Sequence, residues 1–519
     1  MNPFANEQIR KMGYYSPPLE GRSKYKGFLL DFNERTVPVS KKITKALADF
    51  ANGKRVQVYP EYGDICKIIA KYSDLDASQV MITNGSDQGI DLIFRTFTKK
   101  NDKVIINFPT FPMFKQCADI AGNNVVSINY DKNLRFPFEK VIKAIDRSVK
   151  MIVICNPNNP TGTLVDLTDI EKILKKALGN GVLVYIDEAY FEFSGVTAAG
   201  FIMKYPNLII SRTFSKAFGL ASLRIGYLLS SAVNINEMMK VRGPYDVNTF
   251  AIVAVEEALK NVGYMKNYVK EVMQKAKPMV EKFFADNCVE FYPSRANYVL
   301  FKPINADEVF NKLKTNGILT RPRSGKNIDK TIRLSIGTEQ QMLKFIKIYK
   351  KLFLKNRLKK YAFLDRDGAL IFEPQDTFQI DSLDKLEILD GVIDGLQMLI
   401  SKGYRLVLIS NQDGLGTKSF PLKSFEIPQN EFLKKLLKNG IKFENIFICP
   451  HFAEENCKCR KPKTGLVDGF LENNKIDFKN SLMIGDRETD RQFAKNIGIK
   501  FIKMETNGSF KSIFNQLSI

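Results

Sequence analysis

Short apolar runs punctuate the first 210 or so residues and alternate with stretches of helical periodicity. Val80–Asn84, Lys103–Asn107, Asn124–Asn129, Met151–Cys155, Val182–Ile186 and Leu208–Ser211 read as strands. Helices are predicted over Ser40–Phe50, from about Asp64 to Tyr72, and from Gly85 to about Thr96. Strands that alternate with helices predict a parallel, doubly wound α/β sheet, in which functional residues gather beyond the carboxyl ends of the strands. Residues 1–30 are polar and carry Pro and Gly, the pattern of an arm packed on another part of the molecule. From Gln341 to about Lys360 the chain is basic and amphipathic, a final helix running into a linker at 356–360. Apolar runs then resume at Tyr361–Leu364, Leu406–Ser410 and Leu482–Gly485, the strands of a second α/β domain over 361–519.

The length of 519 residues suggests about three domains, and an apolar content of 44% suffices for large cores. No apolar run approaches the ~20 residues of a membrane span, and the first residues lack the apolar centre of a signal peptide. A cytoplasmic protein without a membrane partner is expected. The net charge of +22 is spread along apparent helices and has no DNA-reading motif beside it, so no nucleic-acid partner is expected. It suits anionic, phosphorylated small molecules instead. Of the seven cysteines, Cys66, Cys117, Cys155 and Cys288 stand singly among apolar neighbours. Cys449, Cys457 and Cys459 crowd around His451, the only histidine.

The chemistry of the first part centres on Ser211–Tyr227, where Lys216 follows small hydroxyl residues and precedes a small-residue turn and Arg224. Such a lysine suits covalent attachment of pyridoxal phosphate, with Thr213, Ser215 and Arg224 at the cofactor phosphate. Gly85-Ser86-Asp87 opens a helix and offers backbone N–H groups to the same phosphate. Asn159, Asp187 and Tyr190 follow strand ends. Asp187 would pair with the pyridine nitrogen, Asn159 and Tyr190 with the ring oxygen, and Phe111 would stack on the ring. Lys216 would also serve as the proton-transfer base.

These motifs resemble the fold-type I, class I/II aminotransferases over residues 1–355, and most of all the histidinol-phosphate aminotransferases. The resemblance also carries Asn33-Glu34, Tyr59-Pro60, Pro293-Ser294 with Asn297, Arg321, and Arg333-Leu334-Ser335-Ile336-Gly337-Thr338. It implies a large cofactor domain at about 55–245, a small α/β domain built from both ends, and glutamate as amino donor. It further implies a homodimer in which Tyr59 reaches the partner's cofactor phosphate, and Arg333, with Arg321, on the substrate's anionic group. Phe111 and Gln88 depart from the family's usual tyrosine and glutamate.

In the second part, Asp365-Arg366-Asp367-Gly368 follows an apolar strand, Ser410-Asn411 ends the next, and Lys461 and Asp486 follow. This order resembles the haloacid dehalogenase phosphatase superfamily on a Rossmann-like sheet. It implies Asp365 as nucleophile, Asp367 as acid and base, and Ser410, Asn411 and Lys461 on the phosphate oxygens. Mg²⁺ would rest on Asp365, the Asp367 carbonyl and Asp486. Cys449, His451, Cys457 and Cys459 fit a closed structural Zn²⁺ site that pins the Lys461 loop. Gln412-Asp413-Gly414 and Ile448-Cys449-Pro450-His451 look closest to the histidinol phosphatases. Together the halves imply transamination of a phosphorylated ketone followed by phosphate removal, as in histidine biosynthesis. The alternative is the same pair of reactions on a smaller ketone, dihydroxyacetone phosphate to serinol phosphate and serinol, for surface polysaccharide.

Overall fold

A computed structural model describes residues 4–13, 15–53, 55–354 and 358–517. The chain divides into two compact units, Met1–Leu352 and Phe353–Ile519. Among the described residues no helix is long and apolar enough to cross a membrane.

The first strand of the first unit is β1 (Phe28–Leu29). Next come β2 (Val80–Thr83), β3 (Lys103–Phe108), β4 (Asn124–Asn129), β5 (Val149–Cys155), β6 (Leu183–Asp187), β7 (Leu208–Thr213) and β8 (Gly226–Ser230). The last seven form one sheet in the order β2-β8-β7-β6-β5-β3-β4. Ile152, Ile154, Val184, Ile186 and Ile210 are fully or almost fully buried, as are Met151, Val153, Tyr185 and Ile209 between them. Neighbouring strand residues point to opposite faces, so burial of both sets explains why these strands read as continuous apolar runs. The six strands expected from the sequence run parallel, and a seventh, β8, lies between β2 and β7 and runs antiparallel to both. The chain turns back immediately after the Lys216 turn, and that reversal sets the β8 backbone beside the start of the Gly85–Phe97 helix.

A second, antiparallel sheet comprises β9 (Glu290–Tyr292), β10 (Tyr298–Lys302), β12 (Arg321–Arg323) and β13 (Thr331–Ser335), in the order β12-β13-β10-β9. Between them β11 (Ile318–Leu319) pairs in parallel with β1. The N-terminal arm is thereby tied down: Arg22 pairs with Asp31 and Glu34, and the Tyr25 hydroxyl donates to the Lys314 carbonyl at 2.7 Å.

The helix Glu339–Tyr349 continues as a wider helical turn, Lys350–Leu354. Residues 356 and 357 of the expected linker lie outside the described residues. Lys360, placed in that linker by its charge, is instead the first residue of β14 (Lys360–Leu364).

The second unit is a five-stranded parallel sheet of β14, β15 (Tyr404–Asn411), β16 (Phe443–Cys449), β17 (Leu482–Gly485) and β18 (Lys500–Lys503). Its order is β16-β15-β14-β17-β18. Ala362, Leu364, Leu406, Leu408 and Ile484 pack into one core, while Tyr361, Phe363, Val407, Ile409 and Met483 pack into another on the opposite face. With β14 at the centre, its carboxyl end and those of β15 and β17 converge, and they carry the site residues.

Candidate active sites

In the first unit, a cavity of about 600 Å³ lies at the carboxyl ends of β5, β6 and β7. It gathers Ser86, Asp87, Phe111, Asn159, Asp187, Tyr190, Thr213, Ser215, Lys216, Arg224, Arg321 and Arg333, every predicted cofactor or substrate contact of this half except Tyr59. Tyr59 is 73% exposed and stacks on Tyr245 at 4.4 Å, outside the cavity of its own chain. Gln88, which departs from the family residue, faces away too: it accepts from the Asn84 amide and donates to Asp246.

Lys216 Nζ donates to the Phe32 carbonyl at 2.9 Å. Burial, helped by the positive charge of Arg333, lowers its pKa to about 8. Asp187 accepts from Ser211 Oγ at 2.7 Å, and Ser211 in turn contacts the Tyr185 hydroxyl at 2.8 Å. Burial outweighs these bonds and raises the Asp187 pKa to about 6. The next residue, Glu188, forms a fully buried pair with Arg212 at 3.0 Å, which locks the end of β6 to β7 and so fixes Asp187 relative to Thr213. Asn33 Nδ2 donates to the Tyr190 hydroxyl at 3.0 Å, and Arg333 Nη1 donates to Asn159 Oδ1 at 2.5 Å.

Thr213 Oγ1 donates to Ser215 Oγ at 2.9 Å, and Arg224 pairs with Asp87 at 2.8 Å. Both groups flank the amino end of the Gly85–Phe97 helix. Two glycines keep this corner open. A Cβ on Gly85 would fall 2.6 Å from the Arg224 guanidinium, and one on Gly226 would fall 2.8 Å from the Ser86 amide nitrogen. An anion cradle of helix N–H groups, hydroxyls and a guanidinium, with a buried amine and a buried carboxylate beyond it, fits pyridoxal phosphate at both ends.

Arg323 was not singled out from the sequence, yet it lines the same cavity. The signal was present: it stands two residues from Arg321, on the same side of an extended strand.

In the second unit, Lys461 Nζ lies 2.7 Å from Asp365 and 2.6 Å from Asp490, and donates to the Ile409 carbonyl at 3.1 Å. Asp490 had no role assigned from the sequence; with Asp365 and Asp486 it forms a carboxylate cluster in which one oxygen of each lies within 4.8 Å of the others. Burial and the nearby Asp490 raise the Asp365 pKa well above the usual range. Asp486 accepts from Thr506 Oγ1 at 2.7 Å, and its other oxygen is buried without a hydrogen-bond partner. An unpartnered buried carboxylate oxygen beside two more carboxylates fits a divalent cation. The Asp367 side chain faces the other way. It accepts from Arg366 Nη1 and Gln412 Nε2, both at 2.5 Å, and from Ser410 Oγ at 3.2 Å. Gln412, named from the sequence only as part of a motif, thus contacts Asp367 and Ser410 directly. Asn411 closes a ring with Lys461, accepting from its amide at 3.0 Å and donating to its carbonyl.

The ligand atoms of Cys449, His451, Cys457 and Cys459 also lie within 4.8 Å of one another, with five of the six separations at 3.1–3.7 Å. A tetrahedron of ligands about 2.3 Å from its centre has edges of about 3.8 Å, so the cluster is close to the size a Zn²⁺ ion requires. Arg460, next to Cys459, pairs with Asp413 and donates to the His451 carbonyl at 3.1 Å. The cluster therefore borders the segment that carries Lys461.

A lysine, a strand-end carboxylate and an anion cradle on a doubly wound sheet define a fold-type I pyridoxal-phosphate enzyme. The chain belongs to the class I and II aminotransferases, whose family matches residues 26–348. A histidinol-phosphate aminotransferase of Caldanaerobacter subterraneus subsp. tengcongensis is 35% identical over 339 residues, covering 64% of this chain and 92% of that protein. The crystal structure of the Clostridium acetobutylicum histidinol-phosphate aminotransferase is 26% identical, covers 62% of this chain and 99% of its own, and has a TM-score of 0.56. The Sinorhizobium meliloti histidinol-phosphate aminotransferase, solved with pyridoxal-5′-phosphate, shares the fold at 22% identity, covering 68% of this chain and 99% of its own with a TM-score of 0.61. Residues 360–506 match a second family, polynucleotide kinase 3 phosphatase, so the second unit is phosphatase-like.

Proposed function

We propose that this chain carries out two consecutive reactions on one phosphorylated molecule. The first is glutamate-dependent transamination of imidazole acetol phosphate to histidinol phosphate. The second is hydrolysis of that phosphate monoester to histidinol by a haloacid dehalogenase-type site. The observation that carries this reading is a transaminase cavity rich in guanidinium groups in the same chain as a phosphatase-like aspartate cluster. The names of the relatives support the particular ketone.

In the first site Ser86, Asp87, Thr213, Ser215 and Arg224 would hold the cofactor phosphate, Asp187 the ring nitrogen, and Asn159 and Tyr190 the ring oxygen, with Phe111 against the ring. Pyridoxal phosphate, when bound, supplies the sink for the electrons left on the substrate carbon. Lys216 Nζ, with a pKa lowered to about 8, carries the proton removed from the carbon that bears the amine. Arg333 and Arg321 bind the anionic end of each substrate and so fix which carbon faces Lys216. Tyr59 reaches the cofactor phosphate of a second copy, which makes a homodimer the working unit.

In the second site an Asp365 oxygen attacks phosphorus. The bond from phosphorus to the alcohol oxygen breaks, and Asp367 gives that oxygen its proton. Asp367 then takes a proton from water as the water oxygen attacks phosphorus, freeing phosphate and restoring Asp365. Ser410, Asn411 and Lys461 hold the phosphate oxygens. Asp365, Asp486 and the Asp367 carbonyl would hold Mg²⁺, which offsets the gathering negative charge. Cys449, His451, Cys457 and Cys459 would hold a structural Zn²⁺. A reducing, cytoplasmic location would keep these thiols available to zinc.

The test supplies glutamate and imidazole acetol phosphate to the purified protein, following 2-oxoglutarate and phosphate together. Both should form, with phosphate lagging. Rapid turnover of dihydroxyacetone phosphate with none of imidazole acetol phosphate would overturn the substrate assignment. A 3′-phosphorylated oligonucleotide is the control for the second site; comparable release of phosphate from it would overturn the pairing.

A further inference from the structure

β12 is an edge strand of its sheet and reads Arg321-Pro322-Arg323. Residues two apart on a strand share a face, so Arg321 and Arg323 lie on one side. Antiparallel pairing sets Arg333 of β13 directly opposite Arg321. Like charges opposite one another destabilise a sheet. Here three guanidinium groups converge on one cavity. No carboxylate among the described residues forms a salt bridge to any of them, and the nearby Asp31 and Glu34 are already engaged by Arg22. Arg333 is buried, and both its Nε and that of Arg323 lack a hydrogen-bond partner. Burial and the two neighbouring arginines pull the Arg323 pKa down to about 10. Among the described residues no carboxylate pairs directly with these three groups, so a ligand of matching charge is the natural counterpart.

We propose that Arg323 is a specificity-determining residue that widens the Arg321–Arg333 pair into a subsite for a phosphate monoester dianion. A carboxylate brings one charge and two oxygens, which two arginines satisfy. A phosphate monoester brings a charge of about −1.5 to −2 and three terminal oxygens, and the third guanidinium matches the difference. Arg323 thus favours the phosphorylated partner over glutamate in the shared cavity. This rests on the reading of the substrate as phosphorylated, and the two are tested by separate arms.

The cofactor-loaded wild type, Arg323→Gln and Arg323→Lys are compared in single-turnover half-reactions with glutamate and with histidinol phosphate, and with inorganic phosphate as competitor against glutamate. Loss of one charge-assisted contact corresponds to about a 10- to 100-fold fall. In Arg323→Gln the ratio of kcat/KM for histidinol phosphate to that for glutamate should fall by about that factor, mainly through KM. Arg323→Lys should recover part of it. Inhibition by phosphate should weaken in Arg323→Gln at pH 7.5 more than at pH 5.5, because inorganic phosphate is the monoanion at pH 5.5 and largely the dianion at pH 7.5. An equal fall with both substrates, or no change in the ratio and in phosphate inhibition, would overturn the subsite. If phosphate inhibition responds as stated but the wild type does not turn over histidinol phosphate, the subsite stands and the substrate assignment falls.

Discussion

Asp187 and Lys216 are both held toward neutrality by burial, from opposite sides of pH 7. The Asp187 pKa rises from the usual 3.8 to about 6, so the folded protein binds that proton more tightly than the unfolded chain. Its contribution to stability is favourable below pH 4 and is lost as pH rises through 6, leaving an ionised buried carboxylate at neutral pH. The Lys216 pKa falls from 10.5 to about 8, so the folded protein releases that proton more readily. Its contribution is favourable above pH 10.5 and is lost as pH falls through 8. Each displacement of about two pH units corresponds to ~3 kcal/mol. The cofactor-free protein should therefore become more stable at pH 7 in both Asp187→Asn and Lys216→Ala, while transamination is lost. Thermal melts across pH separate the two: the Asp187→Asn gain should vanish below about pH 4, and the Lys216→Ala gain above about pH 10.5. Gains independent of pH would show that repacking, not charge, is responsible. Lys216→Ala should also lack the visible absorbance of the cofactor-bound wild type.

Strands that end at a site were legible because burial on both faces makes them unbroken apolar runs, as in Met151–Cys155 and Leu406–Ser410. Gly226–Ser230 was not read as a strand, because it follows the Lys216 turn directly with no helix between; it runs antiparallel to both its neighbours. Arg321–Arg323 was invisible as a strand because it has no apolar residue and carries a proline; only its pairing with Thr331–Ser335 makes it one. Asp490 escaped for a related reason. It sits in the first turn of the Glu488–Ile497 helix, and that turn folds it back toward Lys461 and Asp486. The thiol cluster, by contrast, was legible from spacing and chemistry together. If it holds Zn²⁺ and pins the Lys461 loop, Cys459→Ser should lower the melting temperature of the second unit. It should also cut the phosphatase rate at least tenfold, with transamination within about twofold of wild type. Metal analysis of both proteins, with one equivalent of zinc in the wild type only, checks the cause. A normal phosphatase rate in a zinc-free Cys459→Ser protein would refute the pinning role.

At the scale of the whole molecule, each unit has its own sheet and core, and each site draws its residues from its own unit. The residues of each constellation named above belong to one unit, so the two chemistries should fail separately. Asp365→Asn should transaminate at about the wild-type rate while histidinol phosphate accumulates. Lys216→Ala should hydrolyse supplied histidinol phosphate at about the wild-type rate while forming no 2-oxoglutarate. Removal of divalent cations should reproduce the first variant and not the second, because the carboxylate cluster of Asp365, Asp486 and Asp490 lies wholly in the second unit. A mixture of the two variants then measures what the fusion adds. If the intermediate crosses through bulk solvent, the mixture restores the full steady rate after a lag set by the intermediate's concentration. If it passes between sites within one molecule, the mixture stays slower than the same concentration of wild type. The net charge of +22 makes ionic strength the second variable: a phosphorylated intermediate held near a cationic surface is released as salt screens that surface, with a screening length of about 8 Å at 0.15 M. A lag in the wild type that lengthens with salt would place retention in the protein's electrostatic field. A lag unchanged by salt would leave simple diffusion between two independent sites.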